Sequence, residues 1–166
     1  MLQSQREDCL IRCISDHQEN IYRLAYSYVR NSEDALDIVQ DSIHRALISV
    51  DTLKNPESTK NWFFRIVVNM SLDFLRKHKR IHIVDDATLE SYSSGTIDVY
   101  SDLDLTRALE ELPMKYRSII FLRYFEDMKI EEVAEVLQEN VNTIKTRLYQ
   151  ALRILRIHMT DDASDD

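Results

Sequence analysis

A single glycine, Gly95, is the feature that most restricts this chain of 166 residues. Glycine supplies the positive-φ positions of tight hairpins and the close backbone approach of phosphate-binding loops. With one glycine and two prolines, Pro56 and Pro113, a strand-rich fold has too few turn residues. No Walker-type or Rossmann-type glycine-rich loop can be written, which argues against nucleotide chemistry. The expectation is an all-α chain, long enough for one or two domains with a real core. No apolar run is long enough to span a bilayer, and MLQSQREDCL has no apolar signal region, so a cytoplasmic location is expected.

The two cysteines, Cys9 and Cys13, suit neither a disulfide framework nor a zinc knuckle. With His17 they form one helical stripe, which is one conceivable metal site. Leu10, Ile14, Ile21 and Leu24 surround that stripe, and small side chains on a core face is the favoured reading. There is no pair of inward carboxylates with Glu-x-x-His spacing and no nucleophile–base constellation. The chain reads as a non-enzyme with no cofactor, no metal and no small-molecule substrate.

Charge divides the sequence. The formal net charge is −8. Between Trp62 and Arg80 there are five basic residues, Arg65, Arg76, Lys77, Lys79 and Arg80, against Asp73 alone. Between Ile81 and Thr106 there are six acids and no Lys or Arg. That second stretch, with SYSSGT inside it, reads as a flexible acidic linker. Two helical modules follow, 1–82 and 104–160, joined by a linker at 83–103 and ending in a solvated acidic tail at 161–166.

In the first module, Leu10, Ile14, Ile21, Leu24, Ala25 and Tyr28 recur at helical spacing. Asn31 to Asp34 supply a cap and early acids for a helix running to about Val50. Its inner stripe is Ala35, Ile38, Val39, Ser42, Ile43, Ala46 and Leu47, which leaves Asp34, Asp37, Gln40 and Asp41 elsewhere on its surface. After the loop 51–61, Ser58 or Thr59 caps a third helix to about Arg80. In the second module, a helix near 103–112 is followed by a break at Pro113. The next helix takes Ile119, Ile120, Leu122, Tyr124 and Phe125 as its core.

The end of the second module has the layout of a helix-turn-helix. A short helix at 130–137 is followed by QEN and then NVNTIKTRLYQALRILR (140–156), which has four basic residues and no acid. On a wheel of about 100° per residue, Ile144, Leu148, Ala151, Leu152 and Leu155 face inward. The other side carries Asn142, Thr143, Thr146, Tyr149, Gln150 and Arg153, with Lys145 and Arg147 at its edges. Amides, hydroxyls and guanidinium groups are what reach base edges and phosphates in a major groove. A basic amphipathic helix is otherwise often only a solvated surface; the preceding helix and turn favour DNA. Trp62, Arg65, Asn69, Asp73 and Arg76 make a second such face, with rings for stacking and charge for phosphate. The alternative for the Trp62–Arg80 stretch is a core tryptophan followed by a cationic helix end.

Three segments in order then carry a resemblance. DALDIVQDSIHRAL (34–47) resembles region 2.2, WFFRIVVNMSLDFLRKHKR (62–80) regions 2.3 and 2.4, and 108–156 region 4, of the extracytoplasmic-function sigma factors of the sigma-70 class. The wording of SYVRNSEDALDIVQDS and NTIKTRLYQAL is also similar to the sigma-V type subgroup, tied to lysozyme and envelope stress. The resemblance implies an alternative sigma factor that binds core RNA polymerase through the β′ clamp helices and the β flap. Asp34, Asp37, Gln40 and Asp41 would meet polymerase. Trp62, Arg65, Asn69, Asp73, Arg76, Lys77, Lys79 and Arg80, with the loop 54–61, would hold the −10 element as single-stranded DNA. Asn142, Thr143, Lys145, Thr146, Arg147, Tyr149, Gln150 and Arg153 would read the −35 duplex; Gln150 stands where relatives often carry Arg. A membrane-anchored anti-sigma factor is the further partner implied. The competing class is a self-contained helix-turn-helix regulator.

Overall fold

The computed structural model describes residues 2–81 and 103–164. Eight α-helices make up most of it among the described residues: α1 (Gln3–Asp16), α2 (Gln18–Val29), α3 (Ser32–Ile48), α4 (Thr59–Ile81), α5 (Leu103–Glu111), α6 (Met114–Ile120), α7 (Ile130–Leu137) and α8 (Val141–Ser164). No strand occurs among the described residues, so the all-α expectation holds. The linker proposed at 83–103 lies outside them except for Leu103, which opens α5.

The first module is α1–α4, with α2, α3 and α4 packed mutually and α1 laid across α3 and α4. Asn31 caps α3 as its sequence implies, its side chain accepting from the Asp34 amide at 3.0 Å. The expected inner stripe of α3 is buried at Ala35, Ile38, Ser42 and Ala46, but Leu47 is 44% exposed. The single N-terminal stripe is carried by two helices that bend at His17 (φ −120°, ψ 20°). The periodicity gives no warning of this, because Ile14 and Ile21 are two turns apart and stay in phase across the bend. The helix ahead of Trp62 is prefaced by a 3-10 turn at Pro56–Ser58. Asn55 caps that turn, so Thr59 starts α4 rather than capping it. Phe63, Phe64, Val67 and Val68 of α4 form the centre of the core.

In the second module α5, α6 and α7 pack around α8. Pro113 takes the N-cap of α6, the position just before the first-turn site expected for it. The main departure follows α6. Phe121–Phe125 close a π turn, with the Glu126 amide donating to the Phe121 carbonyl at 3.2 Å. One extra residue per turn rotates everything after it. Tyr124 and Phe125, expected in the core, are 49% and 45% exposed, and Glu126 is turned inward at 4%. Helix α8 continues to Ser164, so helix covers the first four residues of the segment expected as a tail.

Candidate nucleic-acid interface

The short helix and turn before α8 are built as the sequence implies, without glycine. Gln138 takes the left-handed position at the end of α7 (φ 55°, ψ 44°), where glycine is usual. The Glu139 amide then closes on the Ala134 carbonyl at 3.0 Å. Asn140 caps α8, its side chain accepting from the Asn142 amide at 2.8 Å. Ile144, Leu148, Ala151 and Leu155 are buried, which fixes the rotation of α8 about its axis; Leu152, expected inward, is 37% exposed.

That rotation presents the sequence-expected residues together. Asn142, Lys145, Thr146, Tyr149, Gln150 and Arg153 are exposed, and Thr143 and Arg147 are half-buried. Tyr149 stands out at 74% exposure. Arg147 is held by Glu139 at 3.4 Å, and the Thr146 hydroxyl is spent on the Asn142 carbonyl at 2.9 Å. Two residues not singled out in the sequence join this surface. Lys115, on the first turn of α6, lines a shallow cavity of about 340 Å³ with Asn142, Thr143, Thr146, Arg147 and Gln150. Next to it the Tyr116 hydroxyl donates to Gln150 Oε1 at 2.9 Å. Their distance in sequence hides them, since only the packing of α6 on α8 brings them here.

On the first module, Asn69, Asp73, Arg76 and Lys77 line a groove of about 670 Å³ between α3 and α4. Asp41, His44 and Arg45 form the opposite wall, so one of the expected polymerase contacts borders the expected −10 surface. Asp73 pairs with Arg76 at 3.1 Å in the open. Trp62 is half-buried against the core. Arg65 is exposed but points elsewhere: with its amide oriented to satisfy both groups, Gln138 accepts from the Arg65 guanidinium, its Nε at 2.9 Å. Lys79 and Arg80 lie on the last turn of α4, and their side chains fall outside the described set. Asp37, Gln40 and Asp41 are exposed along α3; Asp34 is half-buried beside its cap.

Of the Cys9, Cys13 and His17 stripe, Cys9 and His17 are half-buried. Cys13 is buried, and burial pushes its thiol up to about 11, opposite to what a metal-binding thiolate needs. No group of three or more His, Cys, Asp or Glu residues suited to a metal occurs among the described residues. No helix among them is long and apolar enough to cross a membrane.

A fold of two helical modules, the second ending in a helix-turn-helix with a basic outer face, defines a class of DNA-directed regulator. The comparisons narrow it. Residues 13–81 match the model for sigma-70 region 2, and residues 102–155 that for sigma-70 region 4. The chain is 56% identical to the RNA polymerase sigma factor SigV of Bacillus subtilis over 92% of both proteins. It is 28% identical to the ECF sigma factor SigW of the same organism over 93% of this chain and 91% of that one. The sigma factor RpoE of Bartonella quintana, solved with the anti-sigma factor NepR, has the same fold (TM-score 0.73, 21% identity, 96% of this chain and 98% of that one). The chain belongs to the extracytoplasmic-function group of the sigma-70 family. It is an alternative sigma factor, one that directs transcription initiation, and it resembles the SigV type.

Proposed function

We propose that the two modules divide promoter recognition between them. The observation that carries this is the outer face of α8, where Asn142, Lys145, Thr146, Tyr149, Gln150 and Arg153 are all exposed on one basic helix. A helix presenting amide, hydroxyl and cationic groups in its first turns suits the major groove of the −35 element. The groove between α3 and α4 offers Asn69, Arg76 and Lys77 to the −10 strand, with Trp62, Arg65, Asp73, Lys79 and Arg80 assigned to the same surface. An extruded base costs a few kcal/mol to unstack, and stacking and edge contacts offset that cost. Asp34, Asp37, Gln40 and Asp41 on α3 meet the β′ clamp helices, and the second module meets the β flap. The boundaries are 1–82 and 104–160, with an acidic linker between.

The chain is read as a cytoplasmic non-enzyme without cofactor. Its likeness to SigV supports an envelope-stress regulon, and the complex of the similarly folded RpoE with an anti-sigma factor supports control by an anti-sigma factor, read as membrane-anchored from the family resemblance. Run-off transcription tests the proposal: the purified chain is added to bacterial core RNA polymerase with a genomic promoter pool, and 5′ ends are sequenced. Discrete starts sharing −35 and −10 elements are expected, with Asn69→Ala impairing strand opening. Tight duplex binding by the chain alone, with no core-dependent initiation, would overturn it in favour of a self-contained regulator.

A further inference from the structure

The Gln150 amide is oriented from a second helix. Gln150 is exposed on α8, and an exposed glutamine on a surface helix ordinarily samples several rotamers. Here the Tyr116 hydroxyl, on the first turn of α6, donates to its Oε1 at 2.9 Å. Tyr116 is itself held. Its ring is half-buried and packed against the core. The Lys115 ammonium lies 5.0 Å from the ring centroid, within the range of a cation–π contact. The Tyr116 amide donates to the Pro113 carbonyl at 2.9 Å, which closes the first turn of α6. The anchor is a stiff side chain with two torsions, and the anchored group is a flexible one with three.

Which end of the amide faces Tyr116 decides what Gln150 offers to DNA. A phenol O–H can bond either end of an amide. Lys115 and Arg147 line the same cavity as Gln150, and these cations favour the carbonyl end on that side. With Oε1 turned to Tyr116, Nε2 keeps both hydrogens for an acceptor on a base edge. A glutamine that is free to rotate reads adenine with both ends at once, accepting from N6 and donating to N7. An amide whose oxygen is held toward α6 gives up the first of these bonds. Guanine is then the better match, since its O6 and N7 lie side by side and both accept.

We propose that Tyr116 is a positioning residue that sets −35 specificity: its hydroxyl holds Gln150 as a donor-only group and moves the preference of that side chain from adenine to guanine. The proposal rests on the reading of α8 as the −35 helix. It gives Tyr116 no contact with DNA of its own. Its effect is confined to the base pair that Gln150 meets.

The test uses the full chain in the polymerase holoenzyme, with a randomised −35 library whose bound members are sequenced. Gln150→Ala comes first: preference should flatten at one base pair, which locates the contact. At that pair the parent chain should favour G·C over A·T by about fivefold, as one net hydrogen bond provides. Tyr116→Phe keeps the ring and removes the hydroxyl. It should erase that margin, shift the preference toward adenine and leave the rest of the profile as it was. In the Gln150→Ala background the same substitution should change nothing at that pair, which a merely structural role of Tyr116 would not predict. Circular dichroism checks folding; if the phenylalanine variant does not fold, Tyr116→Leu takes its place. If Gln150→Ala flattens no base pair, Gln150 is not a reader, and its −35 assignment falls together with the proposal. If it flattens one and Tyr116→Phe leaves that preference intact, the −35 assignment stands and the positioning role is overturned. A loss spread over every −35 position, or a parent preference for A·T at the located pair, overturns it in the same way.

Discussion

Asn140 has two possible duties, and one substitution separates them. It precedes the helix proposed to face the −35 duplex, and Asn is also a side chain that reads adenine. In the structure its side-chain oxygen accepts from the Asn142 amide at 2.8 Å, and its carbonyl accepts from the Ile144 amide at 3.0 Å. That is a cap, and replacing such a cap by Ala costs about 1 kcal/mol. For a chain of this size the loss lowers Tm by about 2–4 °C. The first turn carries Asn142 and Thr143, and Lys145 follows it, so its fraying should weaken the −35 contact by about fivefold, the equivalent of ~1 kcal/mol. The loss is uniform across −35 sequences, because it is a loss of order and not of a base contact. Asn140→Ser keeps an acceptor and should recover most of both effects. Thermal denaturation followed by competition binding of a −35 variant library to the holoenzyme decides it. Unchanged Tm in Asn140→Ala, with altered preference at one base pair, would refute the capping assignment and make Asn140 a base reader.

Two other outcomes are expected. Lys145→Ala should weaken holoenzyme binding to every −35 sequence by a similar factor and reduce the slope of log affinity against log salt by about 1, as the loss of one phosphate contact does; a selective loss at one base would instead mark Lys145 as a reader. Cys13 should make the fold sensitive to alkali: burial raises its folded pKa from 9.0 to about 11, so the unfolded chain binds fewer protons and stability falls as pH rises across that window, by on the order of 1–2 kcal/mol. Tyr28, pushed up to about 12 mainly by burial, adds to the fall at its upper end, whereas Arg117, lowered to about 10 chiefly by burial, opposes it. Urea midpoints should therefore drop less steeply between about pH 8 and 11 in Cys13→Ala than in the parent, and equal slopes would refute the assignment.

What was legible in the sequence is what short-range periodicity encodes. The short helix 130–137 and the inward positions Ile144, Leu148, Ala151 and Leu155 follow from spacing alone, and so does the exposed set opposite them; Leu152, placed inward by the same spacing, is 37% exposed. The structure adds what spacing cannot encode. A π turn leaves no mark in a 3.6-residue pattern, so Tyr124 and Phe125 read as core when both are exposed, and nothing in the pattern flags Glu126 as buried. Gln138 occupies a left-handed position without the glycine that signals one. Lys115 and Tyr116 reach the recognition surface from another helix, and Arg65 of the first module meets Gln138 of the second. These are tertiary pairings, and no local pattern carries them.

The charge distribution closes the account. A protein that binds DNA on its own is usually basic overall, because phosphate contacts dominate affinity. This chain is acidic by eight charges, yet it keeps the segment 140–156 free of acids. A freestanding DNA binder would gain from basic residues elsewhere; a sigma factor need not, because its DNA contacts are made within the polymerase assembly. Clustering positive charge at the end of α4 and along α8, against an acidic whole, suits patches that act once polymerase has placed them. The surrounding negative surface disfavours stray duplex at long range, an effect that physiological salt limits to about 8 Å. The pairing of Glu126 with Lys60 follows from charge at short range: a single acid, turned inward by one irregular helical turn, meets a cation on the first turn of α4 at 3.0 Å.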